Sequence, residues 1–144
     1  MILFDTNVLL YSRDKKDPRY KTCRSWIKRV EDHQIEGVTT VQNIVEFISV
    51  SIQLARISHR SDDANILRYS QVYQEDIFRI IYPIANTMII LHKLLQTHHT
   101  AARKVFDVFL IATMLSNGLK EILTYNIDDF KSFPQIKVIH PENI

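Results

Sequence analysis

Met1-Ile2-Leu3-Phe4-Asp5-Thr6-Asn7 opens the chain and decides how the rest of it folds. Ile2 to Phe4 form a short, β-prone apolar run, which suits a strand buried on both faces of a parallel sheet. Asp5 then stands at the carboxyl end of that strand, where open α/β sheets place their ligand sites. Thr6 or Asn7 offers a cap for a helix starting near Val8. Asp5 is itself a good cap, and for one strand–helix junction in isolation that is the simpler explanation. Whether it is more than a cap depends on where the other acids fall.

Working outward, strands alternate with helices. A helix is expected from Arg19, with Tyr20, Cys23, Trp26, Ile27 and Val30 at helical spacing. Gly37 ends it and residues 38–41 read as a second strand. Residues 43–57 suit a helix with Ile44, Val45, Ile48 and Ile52 on its inner face. After a break at residues 59–63, Ser61 or Asp62 caps a helix running to about Tyr73. Residues 78–82 form a third strand stopped by Pro83, and residues 85–96 an amphipathic helix. Residues 104–117 form another helix, closed by Gly118. Residues 121–125 and 136–139 are strands four and five. Such alternation implies a three-layer α/β/α domain over residues 1–144, with a five-stranded parallel sheet and a helical-pair insertion.

Composition agrees with this and excludes other classes. Apolar residues make up 46% and charged residues 24% of 144, as in an ordinary globular domain. The one cysteine, Cys23, excludes an internal disulfide framework and a cysteine-based metal site. Residues 1–15 have no basic region or cleavage site of a secretory signal. The most apolar stretch, residues 77–95, carries Arg79, Pro83, Asn86, His92 and Lys93, too polar for a membrane span. A soluble, cytoplasmic protein is expected. The net charge of +2 gives no strong nucleic-acid footprint, although the middle of the chain is its basic part.

Four acids stand out. Asp107 is the only charged residue between Val105 and Leu119, in a helix apolar all round and so expected to be buried. A buried carboxylate is costly unless it is paired, hydrogen-bonded or bound to metal. Equally, an Asp three residues after Lys104 suits the positive end of the helix dipole. Asp128 and Asp129 follow strand four at a carboxyl end, although Asn126-Ile127-Asp128-Asp129 is also ordinary turn chemistry. Glu46 points roughly opposite the apolar face of its helix, as a surface residue would. The spacing permits Asp5, Glu46, Asp107 and Asp129 to gather at one sheet edge. Two carboxylates about 5 Å apart repel by roughly 3 kcal/mol at an effective dielectric of about 20. Four of them require a cation or partial protonation. All-oxygen ligands favour Mg²⁺ or Mn²⁺, which activates water and stabilises charge on an attacked phosphate.

These segments resemble the PIN-domain nucleases, and especially the VapC-type toxins of toxin–antitoxin pairs. The matching motifs are Phe4-Asp5-Thr6-Asn7-Val8-Leu9, Val45-Glu46-Phe47 and Asp107-Val108-Phe109-Leu110-Ile111-Ala112-Thr113. Leu123-Thr124-Tyr125-Asn126-Ile127-Asp128-Asp129-Phe130-Lys131 and Val138-Ile139-His140-Pro141 complete the set, which spans essentially the whole chain. The resemblance implies a Mg²⁺- or Mn²⁺-dependent endoribonuclease for single-stranded RNA, often a homodimer, with a cognate antitoxin as partner. It carries over Asp5, Glu46 and Asp107 as metal-holding catalytic acids. Asp129, just before Phe130, takes the fourth place, which some relatives fill where Asn126 stands. Asn7, Thr124 and Asn126 match the polar support around the site. Val108 and the long basic middle segment depart from the family pattern.

Arg56, Arg60 and Arg68, with His59, make a candidate phosphate path, or else a solvated helix pair. His98 and His99 read as a solvated helix end. Two other functions compete: a non-catalytic or RNA-processing PIN-domain protein that binds RNA or a partner, and an aspartyl-phosphate phosphotransferase. The second needs an Asp two residues beyond the first, where this chain has Asn7.

Overall fold

A computed structural model describes residues 1–59, 62–98 and 102–143. Five parallel strands lie in the order β3-β2-β1-β4-β5: β1 (Ile2–Phe4), β2 (Gly37–Thr40), β3 (Arg79–Ile81), β4 (Glu121–Leu123) and β5 (Lys137–Ile139). The helices are α1 (Thr6–Tyr11), α2 (Tyr20–Glu31), α3 (Val41–Ile57), α4 (Asp63–Val72), α5 (Thr87–Thr97), α6 (Val105–Ser116) and α7 (Ile127–Phe130). A π-helical turn, Tyr73–Ile77, leads from α4 towards β3.

The apolar opening run is central because both faces of the sheet are covered. Successive strand residues point to opposite faces. Leu3 packs into one core with Ile122 and the helices α5 and α6, while Phe4 packs into a second with Leu123, Trp26, Ile27 and Phe47. Leu3, Phe4, Ile122 and Leu123 have no exposed surface. Trp26 seals the second core and donates its indole N–H to the Pro141 carbonyl at 2.9 Å. Cys23 is buried among the same side chains, and burial pushes its thiol up to about 11.

Several local expectations shift. Val41 begins α3 instead of ending β2, because the Thr40 hydroxyl accepts from the Asn43 amide and caps the helix there. Asn43, Ile44 and Phe47 face inward on α3, whereas Val45 is 60% exposed, since the helix docks on α1 by its Ile44/Phe47 side. Strand β4 stops at Leu123, short of Tyr125, and α7 forms where only a turn was expected. The α6 helix emerges at its first turn, leaving Phe106 70% exposed and Asp107 half-buried instead of enclosed. Gly118 adopts φ +73° just after α6, as an αL cap requires. α3 packs with α4 as the expected helical pair. Ser61, Arg60 and His99 lie outside the described residues. Among the described residues no helix is long and apolar enough to cross a membrane.

Gly37 shows how tightly β2 is wedged into this arrangement. A Cβ there would lie 2.7 and 2.8 Å from the Val30 methyls and 2.9 Å from Phe78, both of them core residues. Gly37→Ala is therefore expected to lower the unfolding free energy by about 1–3 kcal/mol in urea denaturation, the usual cost of overpacking.

Candidate active site

The sheet reverses direction between β1 and β4: the chain builds outward through β2 and β3, then returns to add β4 and β5. Phe4 pairs with Leu123, and Leu3 with Val38. Continuing that register by one or two residues brings Asp5 and Thr124, just past their strands, side by side with Thr40, the last residue of β2. The crevice beyond the carboxyl ends at such a reversal is where open α/β sheets bind ligands.

Asp5 is both cap and site residue. Its Oδ1 accepts the Thr6 backbone N–H at 2.7 Å, closing the start of α1, and the Asn43 side-chain amide at 3.2 Å. Its Oδ2 accepts the Thr124 hydroxyl at 2.6 Å and the Asn7 amide at 2.7 Å. Asp5 is only 6% exposed. Burial is the largest influence on its carboxyl group and outweighs these donors, while the charges of Glu46 and Asp107 add repulsion. Together they push its pKa up to about 6.

Asp107 lies in the first turn of α6, and its carboxyl pKa is raised as well. Burial is the main cause, followed by the charges of Asp129 and Glu46, with the Lys104 ammonium opposing them. Lys104 makes an ion pair with Asp129 at 3.0 Å. Glu46 is exposed on α3, yet its Oε2 accepts the Thr6 hydroxyl at 2.7 Å, which ties it to the opening motif. The four acids are thus linked: Asp5 feels Glu46 and Asp107, and Asp107 feels Glu46 and Asp129. Asp128 is different. It is exposed and pairs with Lys131.

The supporting residues form a network across the strand ends. The Asn7 amide reaches Asp5 and, at 3.0 Å, the Thr124 hydroxyl, while its carbonyl accepts the Tyr125 N–H at 3.2 Å. Asn126 is exposed, and its backbone N–H donates to Thr124 at 2.9 Å. Asn43, which the sequence marked only as a helix start, belongs to this network. The one available signal was a polar residue three positions before Glu46, beside the capping Thr40.

Arg56 does not join the acids. It lines a shallow groove on α3 with Ser49, Ile52, Gln53 and Ile57, ten residues and so about 15 Å along the helix from Glu46. Arg68 is exposed on α4, and His59 is exposed beyond the end of α3. His98 stacks on Phe133 at 4.5 Å between ring centres.

The PIN-domain profile matches residues 2–136, the whole span from β1 to the threshold of β5. This chain belongs to the PIN-domain family. Ribonuclease VapC7 of Mycobacterium tuberculosis is 37% identical over 68 residues, covering 47% of this PIN domain and 45% of that protein. Solved structures repeat the fold at full length. The VapBC2 complex from Rickettsia felis, bound to a DNA fragment from its promoter, gives a TM-score of 0.69 at 15% identity, covering 96% of this chain and 98% of that one. The VapC20 toxin of Mycobacterium tuberculosis, which cleaves the sarcin–ricin loop, gives 0.66 at 16%, covering 92% and 95%. A toxin–antitoxin complex from Klebsiella pneumoniae gives 0.64 at 19%, with full coverage of both chains.

The raised Asp5 pKa fixes the sign of a pH effect in this PIN domain. Its folded value lies above the unfolded one, so the stability Asp5 contributes is full below about pH 4 and is lost as pH rises through about 6. Removing a donor to the ionised form magnifies that loss. Thr124→Val is expected to destabilise the protein by about 1.5–3 kcal/mol at pH 7 and by clearly less at pH 4.5, measured by urea unfolding at both values.

Proposed function

We propose that this PIN domain is a metal-dependent endoribonuclease that cleaves single-stranded RNA, acting as the toxin of a toxin–antitoxin pair. The observation that carries the proposal is the gathering of acids at the sheet reversal: Thr6 ties Asp5 to Glu46, the charge of Asp107 reaches Asp5, and Asp129 acts on Asp107. Four oxygen acids have gathered where burial first, and their mutual repulsion second, raises the pKa of Asp5 and of Asp107, an arrangement that favours a hard cation. The match to a ribonuclease, and the toxins among the solved relatives, point the same way.

The residues fit a Mg²⁺ or Mn²⁺ ion. Among the described residues no three His, Cys, Asp or Glu side chains are already closed into a metal-holding group. Mg²⁺ does not demand that, since it keeps several waters and takes one or two carboxylates from the protein. Asp5 and Asp107, the two acids whose pKa values burial and neighbouring charge raise, would hold it, with Glu46 and Asp129 at the rim. Such an ion supplies charge stabilisation to an attacked phosphate and a water of lowered pKa.

The chain's own residues do the rest. Thr124, Asn7, Asn43 and the Thr6 N–H together fix the orientation of the Asp5 carboxylate. Thr6 holds Glu46 towards the same space. Lys104, paired with Asp129 and close enough to act on Asp107, offsets part of the negative charge that RNA phosphates must approach. A Lys at the N-terminal end of α6 opposes the helix dipole, so its placement fits a role towards the acids better than one in helix stability.

We infer two protein partners, one from the relatives and one from the surface. The complexes from Klebsiella pneumoniae and Rickettsia felis support a cognate antitoxin. Exposed apolar side chains such as Phe106, Val45 and Met88 support self-association as a homodimer.

The direct test is RNA cleavage with Mg²⁺ or Mn²⁺ supplied. Asp5→Asn and Asp107→Asn are each expected to lower cleavage by more than about 100-fold with an unchanged far-UV spectrum, beyond the effect typical of residues that only support ligands. Undiminished cleavage by either variant contradicts the proposal. Because Asp5 must lose its proton to bind a cation, Mn²⁺ affinity is expected to fall about tenfold per pH unit below about 6, read by calorimetric titration.

A further inference from the structure

We propose that Asn43 is a positioning residue for the acidic site, one amide that sets the orientation of two acids. The proposal rests on the metal-dependent function given above and names a residue outside its set of four acids.

Asn43 occupies the third position of α3, three residues after the capping Thr40, and is 1% exposed. A polar side chain there ordinarily turns back to the cap. Here it does so with one atom only. Its Oδ1 accepts the Thr40 hydroxyl at 2.6 Å. Its Nδ2 points the other way and donates to Asp5 Oδ1 at 3.2 Å and to Thr6 Oγ1 at 3.1 Å. The orientation is fixed by chemistry, because an ionised carboxylate only accepts and the nitrogen must therefore face Asp5.

The consequences pass to both acids. At Asp5, Asn43 supplies the second donor to Oδ1, opposite the pair that Asn7 and Thr124 supply to Oδ2. At Thr6, an oxygen that already accepts from Asn43 turns its own proton to the Glu46 carboxylate at 2.7 Å. Glu46 is exposed and long, and among the described residues Thr6 is its hydrogen-bond donor. The route Asn43–Thr6–Glu46 therefore gives a surface glutamate a defined direction. It also couples α3 to the β1–α1 junction, so the acids of two separate elements are set by one buried side chain.

The test compares wild type, Asn43→Ala and Asn43→Ser by Mn²⁺ titration calorimetry and by RNA cleavage kinetics. Ser keeps a small polar group for Thr40 but is too short to reach Asp5 and Thr6 together, so it carries the test if the Ala variant does not fold. Both variants are expected to lose about 10- to 100-fold in Mn²⁺ affinity or kcat, the range for residues that orient ligands. KM for an RNA oligonucleotide is expected to stay within about twofold. A merely structural Asn43 would lower the denaturation midpoint yet leave the folded protein's Mn²⁺ affinity and kcat unchanged, which overturns the proposal. If wild type binds Mn²⁺ and the variants match it, the positioning role fails alone. If wild type binds none, the metal-dependent function fails and this proposal fails with it.

Discussion

One buried carboxylate organises this molecule. Asp5 caps the first helix, follows the central strand and accepts four hydrogen bonds from residues of α1, α3 and the β4 end. Burial raises its pKa despite those donors. The donors hold the charge in place without making ionisation easy, so the fold keeps an acid that is primed to gain from a cation. The sheet topology makes this possible. The central strand lies between β2 and β4, which is what lets Thr124 and the Thr40–Asn43 turn meet at Asp5.

Around that centre the other acids differ in how far they are committed. Asp107 is half-buried at a helix N-terminus and is destabilised by its acidic neighbours. Asp129 has found Lys104. Glu46 leans on Thr6 from an exposed position. Burial thus grades outward from Asp5 to the rim. The inner pair is suited to holding a small hard ion, and the outer pair to orienting waters and tempering approach.

How much of this was legible in the sequence depends on whether a residue's chemistry was set locally. The place of Asp5 at a strand end was legible from the apolar run before it, but the run alone fitted a helix cap, and only the other acids suggested more. Asp107 was legible as a lone charge in an apolar helix, although the helix proved to surface at its first turn. Glu46 was not, since its helical direction is that of an ordinary surface residue and only the family resemblance marked it. Asn43 was missed because its environment is made by α3 closing on α1, a tertiary event with no periodic signature. The inner face of α3 was misjudged for the same reason: Val45 and Phe47 are equally apolar, and docking alone decides which is buried. The α7 helix escaped because the residues that start a turn also start a helix.

The most direct measurement is anomalous diffraction at the manganese edge from crystals of the full chain soaked in Mn²⁺. The account predicts a peak between the carboxylates of Asp5 and Asp107, lost in Asp5→Asn crystals. A peak elsewhere, or none at concentrations that support RNA cleavage, would contradict it.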